Sequence, residues 1–429
     1  MTPKRDMNAI RSGPDRMDEF DHAISFGALY DGLRKARKNV MWKDSVAGYS
    51  LDGLKNTYKL RKELLDGTYR ISKYQKFVIH EPKTREIVAT RIRDRQFQRS
   101  LCDNILYRDM TRGFIHDNCA CQRGKGVDFA MNRLEKHLRD YYREHGTDGW
   151  VLKADIHHYF PETPHDVAKA AVRKRVKCDR AYQAAADIID SFGGDRGIGL
   201  GSQVSQLVEL AVLDDLDHLI KEKGKVRHYI RYMDDFVLIH HDREDLDRIR
   251  RAIGRQVEKL GLQLNRKTQI HHLRHGISFL KWHYVLTDTG KVIRKMNRKK
   301  ITKERHKLKK LAIKVIDGDM PESAMDDSFQ SWEANANRGS SHFEIRRMRA
   351  YYLLMKEGIK MGPKMDDIKR LSQAEARANA AAARCEKLAD LLELKLAEQE
   401  GETDALERLD AQDAAICELA EIIGGEDNG

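Results

Sequence analysis

Asp234 and Asp235 stand side by side between a run holding Tyr229, Ile230 and Tyr232 and a second run, Phe236-Val237-Leu238-Ile239. A third acid, Asp155, closes a separate apolar stretch, "VLKAD". Taken alone, an Asp pair at a hairpin tip can be plain turn chemistry, because Asp tolerates turn dihedrals. If the two stretches pair in one sheet, however, two or three carboxylates converge on one spot, which is unfavourable unless cations neutralise them. Oxygen clusters of that kind suit Mg²⁺, which takes one or two carboxylates and completes its shell with substrate phosphates. Two such ions stabilise the attacking and leaving oxygens of an in-line phosphoryl displacement. The chemistry these residues point to is that of a polymerase.

The surrounding pattern supplies elements to position them. Residues 20 to 72 read as helices, with Leu51, Leu54, Tyr58 and Leu64-Leu65 near helical period and Gly67 as a stop. "KYQKFVIHEPKTREIVAT" alternates and breaks at Glu81-Pro82-Lys83, predicting a hairpin with basic residues at its tip. "DRQFQRSLCDNILYRDM" returns to helix, a basic glycine-bearing loop "CQRGKG" precedes another helix, and "GWVLKADIHHYF" reads as the strand that carries Asp155. After a helical stretch over about 164 to 191 and the segment "GGDRGIGLGSQVSQ", one amphipathic helix is expected, with Leu207, Leu210, Leu213, Leu216 and Leu219-Ile220 on one face until Gly224. The next stretch makes a hairpin with Met233-Asp234 near its tip, followed by a helix and a second short hairpin, "GISFLKWHYVLTDTGKVI". This order predicts an antiparallel-rich α+β domain with helices on one side.

Tyr232-Met233-Asp234-Asp235 matches the active-site tetrad of reverse transcriptases, and from about residue 75 to 350 the motif order resembles bacterial retroelement reverse transcriptases of the group II intron-like lineage. "PKTREI" to "RDRQFQ" resembles the fingers hairpin, "CQRGKGVDFA" the loop before the palm, and "KADIHHYF" the strand with the first metal-binding aspartate. "GLGSQVSQ" resembles the segment beneath the nascent base pair, while "GLQLNRKTQI" and "GISFLKWH" resemble the last palm motifs and the primer grip. The resemblance implies a right-hand polymerase of fingers, palm and helical thumb with a C-terminal helical extension. Its expected divisions are a helical region over 1–74, fingers and palm over 75–296, a basic thumb over 297–370 and an acidic helical hairpin or coiled coil over 371–429.

Roles follow from the resemblance residue by residue. Asp155 and Asp234 would hold two Mg²⁺ ions, with Mn²⁺ able to substitute, the Ile156 carbonyl as a further ligand and Asp235 as a weaker one. Lys83 and Arg85 would neutralise the incoming triphosphate, since phosphoryl transfer is mostly positioning and charge stabilisation. Phe160 would exclude a ribose 2′-OH, Leu200 and Gln206 would line the nucleotide, and Lys267 would act near the pyrophosphate as a general acid. Arg123 and Lys125 in the basic loop, and Lys299, Lys300, Lys309 and Lys310 in "NRKKITKERHKLKK", would contact nucleic-acid backbone. Template RNA, a primer or cDNA, and dNTPs are the implied partners. Two departures narrow the subfamily. Gly199-Leu200-Gly201 stands where most relatives have Pro-Gln-Gly, and Ser205-Gln206 where they have Ser-Pro, which resembles the reverse transcriptases of diversity-generating retroelements. In Phe279-Leu280-Lys281-Trp282, lysine follows leucine where glycine is usual. Phage defence is the alternative setting, and an RNA-binding scaffold without activity is disfavoured by the complete acid and base set.

Composition agrees with a polyanion partner. Lys and Arg number 79 against 67 Asp and Glu, net +12. Residues 371 to 429 hold 15 acids and 5 bases, leaving the rest near +22. That acidic tail carries Leu388, Leu391, Leu409, Ile416, Leu419 and Ile423 at imperfect heptad spacing, which suits an accessory protein or self-association. The six cysteines lack zinc-finger spacing and read as reduced thiols, and adjacent histidines in strands face opposite sides, which argues against zinc. The N-terminus has no apolar core of signal-peptide type and no stretch approaches 18 apolar residues, so a cytoplasmic protein that does not enter membranes is expected.

Overall fold

The computed structural model describes residues 18–80 and 85–360, and the chain divides into two compact units, Met1–Ile293 and Arg294–Gly429. The acidic tail beyond 370 and Lys83 therefore lie outside the described residues. No described helix is long and apolar enough to cross a membrane.

In the first unit, the described residues begin with four helices: α1 (Glu19–Ala23), α2 (Phe26–Ala36), α3 (Asp44–Leu51) and α4 (Gly53–Leu65). They do not form a core of their own. Phe20, Leu29 and Leu60 bury into the same cluster as Phe97 and Leu101 of the next helix. The expected hairpin is β1 (Gln75–Ile79) with β2 (Arg85–Ala89), in the register Phe77↔Ile87. It is followed by α5 (Ile92–Leu101), a π-helical turn over Cys102–Leu106, and α6 (Tyr107–Thr111). Gly32 of α2 allows the closest approach to α5: a Cβ there would lie 2.5 Å from the Gln96 carbonyl oxygen. Only glycine lets two backbones meet so closely.

The core of the unit is an antiparallel sheet. Helix α7 (Val127–His145) leads into β3 (Trp150–Ala154), and α8 (Tyr159–Glu162), α9 (His165–Arg175) and α10 (Asp179–Asp190) follow. The leucine-rich stretch does not form the single amphipathic helix expected of it. It forms α11 (Gln203–Val212), α12 (Asp214–His218) and a π-helical turn over Leu219–Lys223. Its first part is buried nearly all round, from Leu207 through Val212, and a helix enclosed on every side has no polar face to show as periodicity. Strands β4 (His228–Tyr232) and β5 (Asp235–His240), helix α13 (Arg243–Lys259) and β6 (Gln269–His272) complete the sheet, in the order β4-β5-β3-β6. Helix α7 packs on β4, and α13 on β3, β5 and β6. The fully buried Leu152, Tyr229, Phe236 and Leu238 each contribute about 1.5–3 kcal/mol by leaving water. A tight hairpin of β7 (Ile277–Phe279) and β8 (Trp282–Leu286) follows, and β9 (Val292–Met296) carries the chain into the second unit.

Among the described residues of the second unit, three helices follow β9: α14 (Arg298–Ile316), α15 (Glu322–Ala336) and α16 (His342–Lys360). Leu308, Met325, Phe329, Trp332, Met348 and Tyr351 form its interior, with Phe329 stacked on Tyr352 at 4.2 Å.

Candidate active site

The register of two strands brings the acids together. In the ladder between β3 and β5, Leu152 pairs Leu238, Lys153 pairs Val237 and Ala154 pairs Phe236. One step further places Asp155 across from Asp235. The β4–β5 hairpin closes on the pair Tyr232↔Asp235, which leaves Met233 and Asp234 as a two-residue turn. Turns of that length match strand twist when a central residue takes positive φ, and Met233 does so at 57°. The turn holds Asp234 against Asp155. Burial first, then the charge of Asp155, pushes the Asp234 carboxyl up to about 7. Burial likewise raises Asp235 to about 6, with Lys153 pulling the other way. The Lys153 Nζ lies 3.5 Å from Asp235 Oδ1 and also donates to the Ser278 carbonyl.

Several supporting groups are not evident from the motifs. Asn265 donates from Nδ2 to Asp155 Oδ2 at 3.0 Å, its backbone N–H donates to the Asp155 carbonyl at 2.7 Å, and its Oδ1 accepts the Lys267 N–H at 3.1 Å. Asn265 thus orients the first aspartate and ties the Lys267 backbone to it. Arg231, in β4, is fully buried and pairs with the equally buried Asp217 of α12. A charged residue inside the run His228–Tyr232 was the available sequence signal, but its partner lies 14 residues earlier on another element.

Of the other sequence-predicted residues, Ile156 is buried and bridges to Leu264, beside Asp155. Phe160 is half-buried with its ring 5.9 Å from Tyr159. Tyr159 turns inward and donates its hydroxyl to the Glu209 carbonyl at 2.6 Å, so Phe160 is the ring left at the surface. Leu200 and Gln206 are half-buried around the start of α11. There Ser202 caps the helix and donates to Gln98 of α5 at 3.0 Å, joining this segment to the helix after the β1–β2 hairpin. A Cβ at Gly201, whose φ is 119°, would lie 3.6 Å from the Val88 carbonyl of β2. Arg85 opens β2 opposite Ile79. The Lys267 side chain is exposed. Arg123 is exposed over the Tyr107 ring at 4.6 Å. Lys125 donates to the His116 and Asn118 carbonyls at 3.0 and 2.9 Å, so it braces its own loop. On α14, Lys299 and Lys310 are exposed while Lys300 and Lys309 are half-buried. The site thus gathers Asp155, Ile156, Asp234 and Asp235; the basic residues of α14 belong to the other unit.

Among the described residues, no group of three or more His, Cys, Asp or Glu side chains forms a metal cage. The acid pair nevertheless fits a divalent cation. Burial and mutual repulsion make Asp234 reluctant to ionise without a positive partner, and the buried Asp235 Oδ1 meets the Lys153 ammonium only at a long 3.5 Å. Two carboxylates at the mouth of a sheet suit an ion that draws its remaining ligands from phosphate and water.

A protein-family model described as reverse transcriptase (RNA-dependent DNA polymerase) matches residues 75–308, more than half of the chain. Among solved structures, the chain is similar to apo telomerase from Candida Tropicalis truncated from its C-terminal domain, at 10% identity and a TM-score of 0.42. That match covers 52% of this chain and 55% of the other, so the chain spans about half the length of that relative. No curated protein matches the chain.

Proposed function

The chain belongs to the reverse transcriptase (RNA-dependent DNA polymerase) family, and from that premise we propose that it extends a primer with dNTPs on an RNA template. The observation that carries this reading is the meeting of Asp155 and Asp234 at the end of paired strands, with Asp234 pushed up to about 7 by burial and by its neighbour. Two bound Mg²⁺ ions would supply charge stabilisation for the attacking and leaving oxygens. Asp155 and Asp234 would hold them, helped by the Ile156 carbonyl and, more weakly, by Asp235. Lys83 and Arg85 would neutralise the triphosphate, and Lys267 would protonate the departing pyrophosphate. Phe160 would bar a 2′-OH, and Leu200 and Gln206 would support the incoming nucleotide.

Asp234→Asn tests this. Extension on an RNA template should be lost while affinity for the primer-template stays near that of the native protein, because the carboxylate holds metal and not template. Full extension by the variant would remove Asp234 from the mechanism.

The finer reading is that the protein serves a diversity-generating retroelement with error-prone copying. It rests on the resemblance of the segment Gly199-Leu200-Gly201 to Ser205-Gln206, where leucine cannot make the hydrogen bonds that glutamine would. Sequencing the cDNA made from a defined RNA tests it: errors concentrated at template adenines support it. Uniformly faithful copying, with no near-repeat pair in the neighbouring DNA, would favour the phage-defence setting.

A further inference from the structure

Arg231 is a large charged side chain with no exposed surface. Its Nε donates to Asp217 Oδ1 at 2.7 Å and its Nη2 to Asp217 Oδ2 at 2.6 Å, a bidentate pair. The same guanidinium donates from Nη1 to the Met233 carbonyl at 2.9 Å and from Nη2 to the Leu210 carbonyl at 3.1 Å. Asp217 is fixed in turn by the Tyr229 hydroxyl, 2.6 Å from Oδ1. The Arg231 backbone is held as well, its N–H donating to the Asp117 carbonyl and its carbonyl accepting from Cys119 N–H.

Burying such a pair is poor value for stability alone, since apolar residues of similar volume generally serve a core as well or better. What they could not do is donate to two backbone carbonyls on different elements. One of these, Met233, is the non-glycine residue at φ 57° that makes the turn, and a strained conformation persists only where its surroundings over-determine it. The next residue, Asp234, is pressed against Asp155, and once both are ionised the repulsion between them works to open that turn. The other carbonyl, Leu210, belongs to α11, which begins just after the Leu200 segment.

We infer that Arg231, charge-balanced by Asp217, is a positioning residue that locks the Met233-Asp234 turn to α11 and so holds the Asp234 carboxylate where metal and nucleotide are to meet. The inference rests on the proposed polymerase activity for its kinetic consequence, but its structural content can be read separately.

The test is the double variant Arg231→Met/Asp217→Asn, which removes both buried charges together and keeps an acceptor for Tyr229. Its melting temperature should stay close to that of the native chain. Its kcat for single-nucleotide addition should fall about 100-fold, with KM for dNTP and affinity for the primer-template changed less than about threefold. Mn²⁺ binding followed by electron paramagnetic resonance should weaken about tenfold. A folded double variant with native kcat and native Mn²⁺ affinity would overturn the inference, as would a kcat loss that merely tracks the unfolded fraction. Should the double variant not fold, Arg231→Lys decides: it keeps the charge but one ammonium cannot reach Asp217, Met233 and Leu210 together, so kcat and Mn²⁺ affinity should drop by more than the accompanying fall in folded fraction explains, and native values of both would refute the lock. A native protein that extends no primer would instead sink the polymerase reading, while the Mn²⁺ measurement would still report on the turn.

Discussion

Replacing Asp234 by Asn should stabilise the metal-free protein while taking away its proposed activity. The carboxyl rises from the ordinary 3.8 to about 7, chiefly through burial and then through Asp155. A folded-state pKa above the unfolded one means that the folded chain binds the proton more readily. Stability is therefore greatest below about pH 4, falls as pH climbs towards 7, and stays at its reduced level above that. At about 1.4 kcal/mol per pKa unit the rise corresponds to about 4 kcal/mol, and screening by water at this partly exposed turn reduces it to about 2 kcal/mol. Asparagine has the same shape, carries no charge and can donate to Asp155, so it removes this cost. Calorimetry in a chelator at pH 8 should show the main transition of the Asn variant about 4 °C higher, at roughly 2 °C per kcal/mol for a unit of this size. At pH 4 the two proteins should melt together. An unchanged or lower melting temperature at pH 8, or a gain of equal size at pH 4, would refute the electrostatic account of the site.

Phe160→Ala should lower discrimination against rNTPs at least tenfold, about 1.4 kcal/mol, in single-nucleotide assays; unchanged selectivity would move the 2′-OH barrier to another side chain, since Tyr159 is buried. Lys281 takes φ 73° in the two-residue turn between β7 and β8, after Leu280 at 49°, so Lys281→Gly should stabilise the protein by about 0.5–1 kcal/mol in denaturant unfolding. Reversing Lys299, Lys300, Lys309 and Lys310 to Glu should weaken RNA binding and flatten the slope of log K against log salt by about 3 if each lysine meets one phosphate; a slope equal to that of the native protein would take α14 off the nucleic acid. Deleting residues 371–429 should leave primer extension on a short template near normal and change assembly or partner capture, which light scattering and pull-downs would read; the same number of copies per particle and the same partners would make the tail a solvated appendage.

The acid set is legible in the chain of residues itself, because the chemistry leaves few alternatives. Carboxylates at the ends of apolar strands are costly unless they bind something, and Asp155, Asp234 and Asp235 stand out for that reason alone. The hairpin is legible too, since two short apolar runs flank the acids, but the two-residue turn at its tip is set by the register of β4 against β5. Less is legible in the leucine-rich stretch over 207–220: its spacing predicts one amphipathic helix, whereas the enclosure of Leu207–Val212 on every side is a matter of packing that the spacing does not carry. The groups that orient the acids are not legible at all. Asn265 reaches Asp155 across 110 positions of sequence, and Lys153 meets Asp235 only because β3 and β5 pair in that register. Arg231 and Asp217 read as ordinary charges on a strand and a helix, yet folding removes both from water and sets them 2.6 Å apart. Local sequence carries residue type and period, which determine which groups can do chemistry and on what kind of element. Partners, burial and therefore protonation depend on which distant segments pack together, and only the tertiary structure decides those.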